Sequence, residues 1–393
     1  MPTTAIARFR TAVRISTYSI FEIYRKMSTG TRHRSDFMCG TSPRLTQRMT
    51  LVAGISIGGL PAFVGDLLLS WGMPSEIDLP TLRSPGVFPG MDNDYAAGLT
   101  QKLIIVRPYL LIAWAGLRRE ATRIVEALDA ALPRTKQLEE HPEALFEILN
   151  SCSEGTEIVA LVIAGSSIFP FCARTRGFEI DDKRVYLLGS GAGDFFSFLQ
   201  ECPELVPSQE QADGLLARTT MLRFAARAMA FQIIGKGLEN SWGGGFEVAF
   251  PTPDGFQKID RLMFRAWKLE RDGTYEYSGH SFFSRYVGHD LLLSCFNPEE
   301  KTYLIKSPLG ESSMPEAHET IWPEWTFELF ILPTGQLVEA ARYHPPHRPV
   351  SDFVEYSHGA LVGWHWDKAH VDDVARQAAA FVAEGVGFKR QSY

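Results

Sequence analysis

Cysteine is scarce and scattered. The five, at positions 39, 152, 172, 202 and 295, are odd in number and form no CxxC pair, which excludes a disulfide framework or a cysteine zinc ribbon and points to a reducing compartment. Long uncharged apolar runs are also missing. The nearest are residues 51–65, cut by Asp66, and residues 158–173, cut by Arg174, and both read as buried strands rather than membrane spans. There is no internal repeat, no low-complexity tract and no Gly-Lys-Ser/Thr of a phosphate loop. In Gly189-Ser190-Gly191-Ala192-Gly193-Asp194, Asp194 stands where a dinucleotide fingerprint needs its third glycine. A basic body is lacking too. The first 49 residues carry nine Lys/Arg against two acids, but the remainder carries 30 basic and 44 acidic residues, a poor surface for nucleic acid.

What is present fits a globular protein. The chain has 393 residues, 45% hydrophobic and 22% charged, enough for two domains or one large domain with additions. Residues 1–49, rich in Arg, Ser and Thr, suit an organellar transit peptide, a propeptide, an upstream stretch before a later start at Met27 or Met49, or a structural arm. The body is expected in the cytoplasm, or in an organelle if this leader is a transit peptide.

Beyond the leader, residues 51–57 and 61–70 flank Gly58-Gly59 and read as a hairpin. Four prolines and several glycines make residues 71–100 a loop or insertion. Strands are expected at 102–106 and 109–114. A helix follows at 117–132, where Leu117, Ile124, Val125, Leu128 and Leu132 share one face, and a second helical stretch covers 139–150. Further strands fall at 156–164, 167–173 and 184–188, helices near 194–199 and at 214–234, and strands at 246–250 and 260–269. Strand pairs separated by helices suit an α+β fold, a four-layer α/β/β/α sandwich of two stacked, mainly antiparallel sheets, rather than a doubly wound parallel sheet. That domain is drawn over residues 50–255. Residues 256–393 are expected to be a mostly β extension closed by a helix at 369–385. His344, His347, His358, His365 and His370 form a loose cluster, but His344-Pro-Pro-His347 has no helix to hold it and no intervening Glu, so it reads as a solvated loop and no metal or other cofactor is expected.

One constellation could carry chemistry. A free N-terminal threonine holds a nucleophile and a base on one residue, because an α-amine titrates at about 7.7–8.0 and can activate the weakly acidic hydroxyl. A nearby lysine keeps that amine neutral, a carboxylate keeps the lysine protonated, and a backbone N–H can receive the oxyanion. Thr50 opens the first strand, and Asp66 follows 16 residues later inside an apolar run. Lys102 opens the third strand, with Gly116 14 residues further on at a strand-to-helix turn.

This order resembles that of the proteasome β-subunit and bacterial proteasome-like threonine peptidase family, over about residues 50–250. Both spacings match the family's, Ala115-Gly116 stands at its Ala-Gly, and Leu187-Leu188 precede its Gly-Ser-Gly at 189–191. The resemblance implies an N-terminal nucleophile hydrolase that cleaves peptide or other amide bonds and assembles into homo-oligomeric rings with an ATPase partner. By the same resemblance, Thr50, Asp66, Lys102 and Gly116 form the catalytic set, with Ser190 and Glu239 supporting the amine. Three departures stand beside it. The interval from Asp66 to Lys102 is longer than the family's, Trp242 replaces a serine, and Met49 rather than glycine precedes Thr50. While residues 1–49 remain attached, Thr50 has no free amine, so a catalytically inert scaffold or binding subunit is the alternative.

Overall fold

The Gly58-Gly59 pair turns the chain back on itself, both residues having the positive φ (58° and 81°) that a tight hairpin requires. It joins β1 (Val52–Ile57) to β2 (Leu60–Asp66). The computed structural model describes residues 50–81, 85–89, 94–133, 142–175, 177–180, 183–201, 214–233, 242–270, 272–297, 299–310, 317–333, 337–344 and 351–383. The leader, Met27 and Met49 therefore lie outside the described residues. Across β1 lie β10 (Lys183–Leu188) and β9 (Gly177–Ile180), and across β2 lie β11 (Phe246–Thr252) and β12 (Gly255–Lys258), all antiparallel. A second antiparallel sheet runs β5 (Leu103–Arg107), β6 (Leu110–Gly116), β7 (Thr156–Ala164) and β8 (Ser167–Ala173).

Alternation along the strands assigns each face a partner. Val52, Phe63 and Tyr186 of the first sheet meet Leu103, Leu111, Ala113, Val159 and Leu161 of the second in one core. The other face of the second sheet, with Ile104, Ile112, Ile158 and Ala160, packs on α1 (Arg118–Ala131) and α2 (Pro142–Asn150). The α1 residues doing so are Ala121, Ile124, Val125 and Leu128, on the face expected from their spacing. The other face of the first sheet packs on α3 (Ala192–Glu201) and α4 (Gly214–Ile233). Layers of mostly antiparallel sheet with helices outside them make the protein α+β.

The C-terminal half is mostly β, and it covers α4. Its main sheet runs β16 (Glu299–Ile305), β15 (Asp290–Asn297), β14 (Tyr275–Val287), β13 (Leu262–Leu269), β18 (Trp325–Ile331) and β19 (Leu337–Tyr343), with β13 and β18 parallel. Phe264, Phe282, Phe327 and Leu329 of this sheet share one core with Met221, Ala225 and Met229 of α4 and with Ile55 and Val64. α4 is therefore buried along two sides, while Arg218, Arg223 and Arg227 on it remain half-buried. The far face of the C-terminal sheet carries a small sheet of β17 (Glu319–Ile321), β20 (Phe353–Ser357) and β21 (Ala360–His365), and also α5 (Lys368–Ala383). No described helix is long and apolar enough to cross a membrane.

Three expectations are corrected. The second strand does not run unbroken to residue 70. It stops at Asp66, because the Leu67 N–H turns to the carbonyls of Gly243 and Gly245 (3.0 and 3.1 Å), and the chain restarts as β3 (Leu68–Trp71). The insertion at 71–100 is not all loop, since β4 (Tyr95–Leu99) returns antiparallel to β3. β9 and β12, four residues each, are too short to show a period, and β12 belongs to the first sheet, so the domain boundary drawn at 255/256 runs through that sheet's edge strand.

Candidate active site

Five of the six predicted site residues lie among the described residues, and each of these sits at or within two residues of a strand end. Thr50 lies two residues before the start of β1. Its N–H donates to the Ser190 hydroxyl (3.2 Å) and its carbonyl accepts the Gly191 N–H (3.0 Å). Gly189 makes this approach possible. It has φ of 79°, and a Cβ there would lie 2.3 Å from the Thr50 carbonyl oxygen and 2.9 Å from Thr50 Cβ. The sequence Gly189-Ser190-Gly191 is thus a cradle for the backbone of residue 50, and no phosphate need be invoked for it.

Asp66 ends β2 beside this cradle. One carboxylate oxygen, Oδ1, accepts the Leu51 N–H at 2.9 Å and also the Lys102 ammonium. The other, Oδ2, accepts the Gly243 N–H at 2.9 Å. Lys102 Nζ donates in addition to the Leu68 carbonyl at 2.6 Å. Asp66 and Lys102 are both fully buried. Loss of water pushes the Asp66 carboxyl above its ordinary range and the Lys102 ammonium below its own, and their attraction and hydrogen bonds offset this only in part. Lys102 therefore holds its proton less firmly than an exposed lysine. The long interval between the two residues is accommodated by the β3–β4 hairpin, which leaves two residues after Asp66 and returns three before Lys102.

Gly116 ends β6, with φ of 101° and no room for a side chain, since a Cβ would lie 2.2 Å from the Gly155 carbonyl oxygen. It lies at the same end of the two sheets as Thr50. The Trp114 N–H donates to the Lys102 carbonyl (3.1 Å), two residues before Gly116. Ala115 faces Glu157 across the strands, and Glu157 Oε2 accepts the Gly189 N–H at 2.9 Å. One carboxylate thus ties the Ala115-Gly116 strand end to the cradle of Thr50, and burial raises its pKa.

Trp242 is buried with Leu51 and Phe246 in the core beneath α3 and α4. Its indole N–H donates to Asp194, its carbonyl accepts Gln232 Nε2 at 3.3 Å, and it packs against Gly191. The family's serine hydroxyl is absent here, while the following backbone N–H, of Gly243, serves Asp66. Glu239, expected to support the amine, lies outside the described residues. His344 is not in a solvated loop. It is buried, with Nε2 2.8 Å from the Thr326 hydroxyl. His347 lies outside the described residues.

Two functional candidates were missed, Glu157 and Glu247. Glu247 on β11 is buried, and its Oε1 accepts the N–H groups of Lys102 (2.5 Å) and Leu103 (2.7 Å). Both stand as the second residue of an apolar strand, in Thr-Glu-Ile and Phe-Glu-Val. The lone acid in an apolar run that marked Asp66 marks them equally. No protein-family model matches this chain, and no curated protein matches it.

Proposed function

We propose that this chain is an N-terminal nucleophile hydrolase of the proteasome-like type, built on a four-layer α/β/β/α sandwich and cleaving peptide or other amide bonds. The observation that carries the reading is the shared Asp66 oxygen. The Lys102 ammonium and the N–H of the residue after Thr50 converge on one buried carboxylate oxygen, so the lysine is held against the backbone of the nucleophile. Once the bond between Met49 and Thr50 is cut, the new amine takes the Thr50 hydroxyl proton as that oxygen attacks the substrate carbonyl. Ser190, already the acceptor for this nitrogen, orients it. Lys102 keeps the amine neutral by like charge and relays a proton to the leaving nitrogen, for which its lowered pKa suits it. The Gly116 N–H receives the oxyanion, and water then releases the acyl group from Thr50.

A specific observation favours a second reading, an inert scaffold or binding subunit. While residues 1–49 remain attached, the Thr50 nitrogen is a peptide nitrogen, and the residue is only 3% exposed. Intact mass of the protein isolated from its own cells separates the two readings. A chain beginning at Thr50 that hydrolyses peptide amides, and loses all of that activity on Thr50→Ala while keeping its fold, is the outcome expected of the enzyme. A chain retaining Met1, or undiminished activity in Thr50→Ala, removes the mechanism.

A further inference from the structure

β11 and the start of β5, where Lys102 stands, are joined by a buried carboxylate that the mechanism above leaves unused. Glu247 spans the two stacked sheets. From β11 it reaches β5, the edge strand of the second sheet, where its Oε1 takes two successive N–H groups, those of Lys102 and Leu103, at 2.5 and 2.7 Å. Two converging backbone N–H groups form a small anion nest, and the anion that fills this one is a side chain. Its Oε2 is held by Lys258 Nζ at 2.6 Å and by the Tyr286 hydroxyl at 3.1 Å. Tyr286 belongs to β14 of the C-terminal sheet.

A second connection runs in parallel. Gln101, the residue before Lys102, accepts Lys258 Nζ at 2.6 Å and donates to the carbonyls of His289 and Ile305, both at 2.9 Å. His289 lies in the turn between β14 and β15, and Ile305 ends β16. Behind these groups is a cavity of about 280 Å³ lined by Gln101, Lys258, Tyr286 and His289. Hydrogen bonds to these side chains, together with the Lys258 ammonium over the Tyr286 ring (4.8 Å to its centroid), hold Glu247 in place.

We propose that Glu247 is a positioning residue for Lys102, and that the C-terminal sheet sets the placement of that lysine through Tyr286, Lys258 and Gln101. The inference rests on Lys102 serving the hydrolase reading, but its placement can be measured without turnover. The Glu247 charge also favours the Lys102 ammonium, so its loss has a definite electrical sign.

The test uses the protein as processed in its own cells. Glu247→Gln lowers kcat on a fluorogenic peptide amide by about tenfold or more and leaves KM within about twofold, because the lysine matters to the reacting atoms and not to substrate docking. In NMR of ¹⁵N-lysine-labelled protein, the Lys102 side-chain titration moves to lower pH, a change that loss of packing alone does not produce. Tyr286→Phe keeps the ring and removes one hydrogen bond, so it lowers kcat a few-fold in the same direction and carries the test if Glu247→Gln does not fold. Wild-type kcat together with an unmoved Lys102 titration in the folded variants overturns the proposal. If the wild-type protein has no hydrolytic activity, the enzyme reading fails on its own, while the Lys102 titration still decides whether Glu247 governs that lysine.

Discussion

At the residue scale, the Asp66–Lys102 pair sets the largest stakes. Each member is buried where a lone charge is expensive, so removing one leaves the other uncompensated. Lys102→Met is expected to cost about 3–5 kcal/mol in urea unfolding, whereas adding Asp66→Asn to it costs less than the sum of the two single changes. A full sum would mean that the two side chains do not interact. Gly189 is the second sensitive position. Gly189→Ala combines positive φ with a collision against Thr50, so it is expected to cost on the order of 2 kcal/mol or more and to displace residue 50, read as lost activity alongside the lowered melting temperature. Asp66 was legible in the sequence because a charge inside an apolar run needs a reason. Glu157 and Glu247 carried the same mark but stood near strand ends, where a solvated charge is the ordinary reading. Partners that come from distant strands leave no local trace in the sequence.

At the scale of elements, the long strands and helices announced themselves. α1 showed one apolar face, and the Gly-Gly hairpin and the strands that end in Ala-Gly and precede Gly-Ser-Gly were all bounded by turn residues. The four-residue strands β9 and β12 were not legible, since four residues cannot display a period. The polar network in the C-terminal sheet was equally hidden. Arg265 on β13 faces Glu328 on the parallel β18, and Asp352 reaches the same guanidinium at 3.3 Å. His344 sits beside Asp352 (3.6 Å) and is pushed down to about 4 by burial, with Arg342, Arg265 and His370 adding repulsion and only Asp352 opposing. Because the native state binds this proton less well than the unfolded chain does, the contribution of His344 is fully present above about pH 6.5 and is lost as pH falls toward 4. Urea midpoints measured from pH 7 to 4 are expected to fall more steeply in the wild type than in His344→Gln. Parallel slopes would show that His344 does not govern the acid limb.

At the scale of the whole molecule, α4 lies between the first sheet and the C-terminal sheet. Its outer side is closed by Phe264, Phe282, Phe327 and Leu329, so the helical layer is interior. A chain ending at Ile259 would expose that side together with the free edge of the site's anchoring network. It is expected to aggregate or stay unfolded when expressed, and a soluble, cooperatively melting product would show the two halves to be independent. The same sheet covers one side of α4, so a ring built from this protein is expected to leave that side out of its contacts, which cross-linking of the assembled protein would check.

The cradle around residue 50 has one more consequence. Chain ends normally fray, but here the carbonyl of residue 50 is bound by Gly191 and the next N–H by Asp66, two anchors that lie on the far side of the bond from Met49. Severing that bond would create a terminus already tethered in place, with no folding left to do.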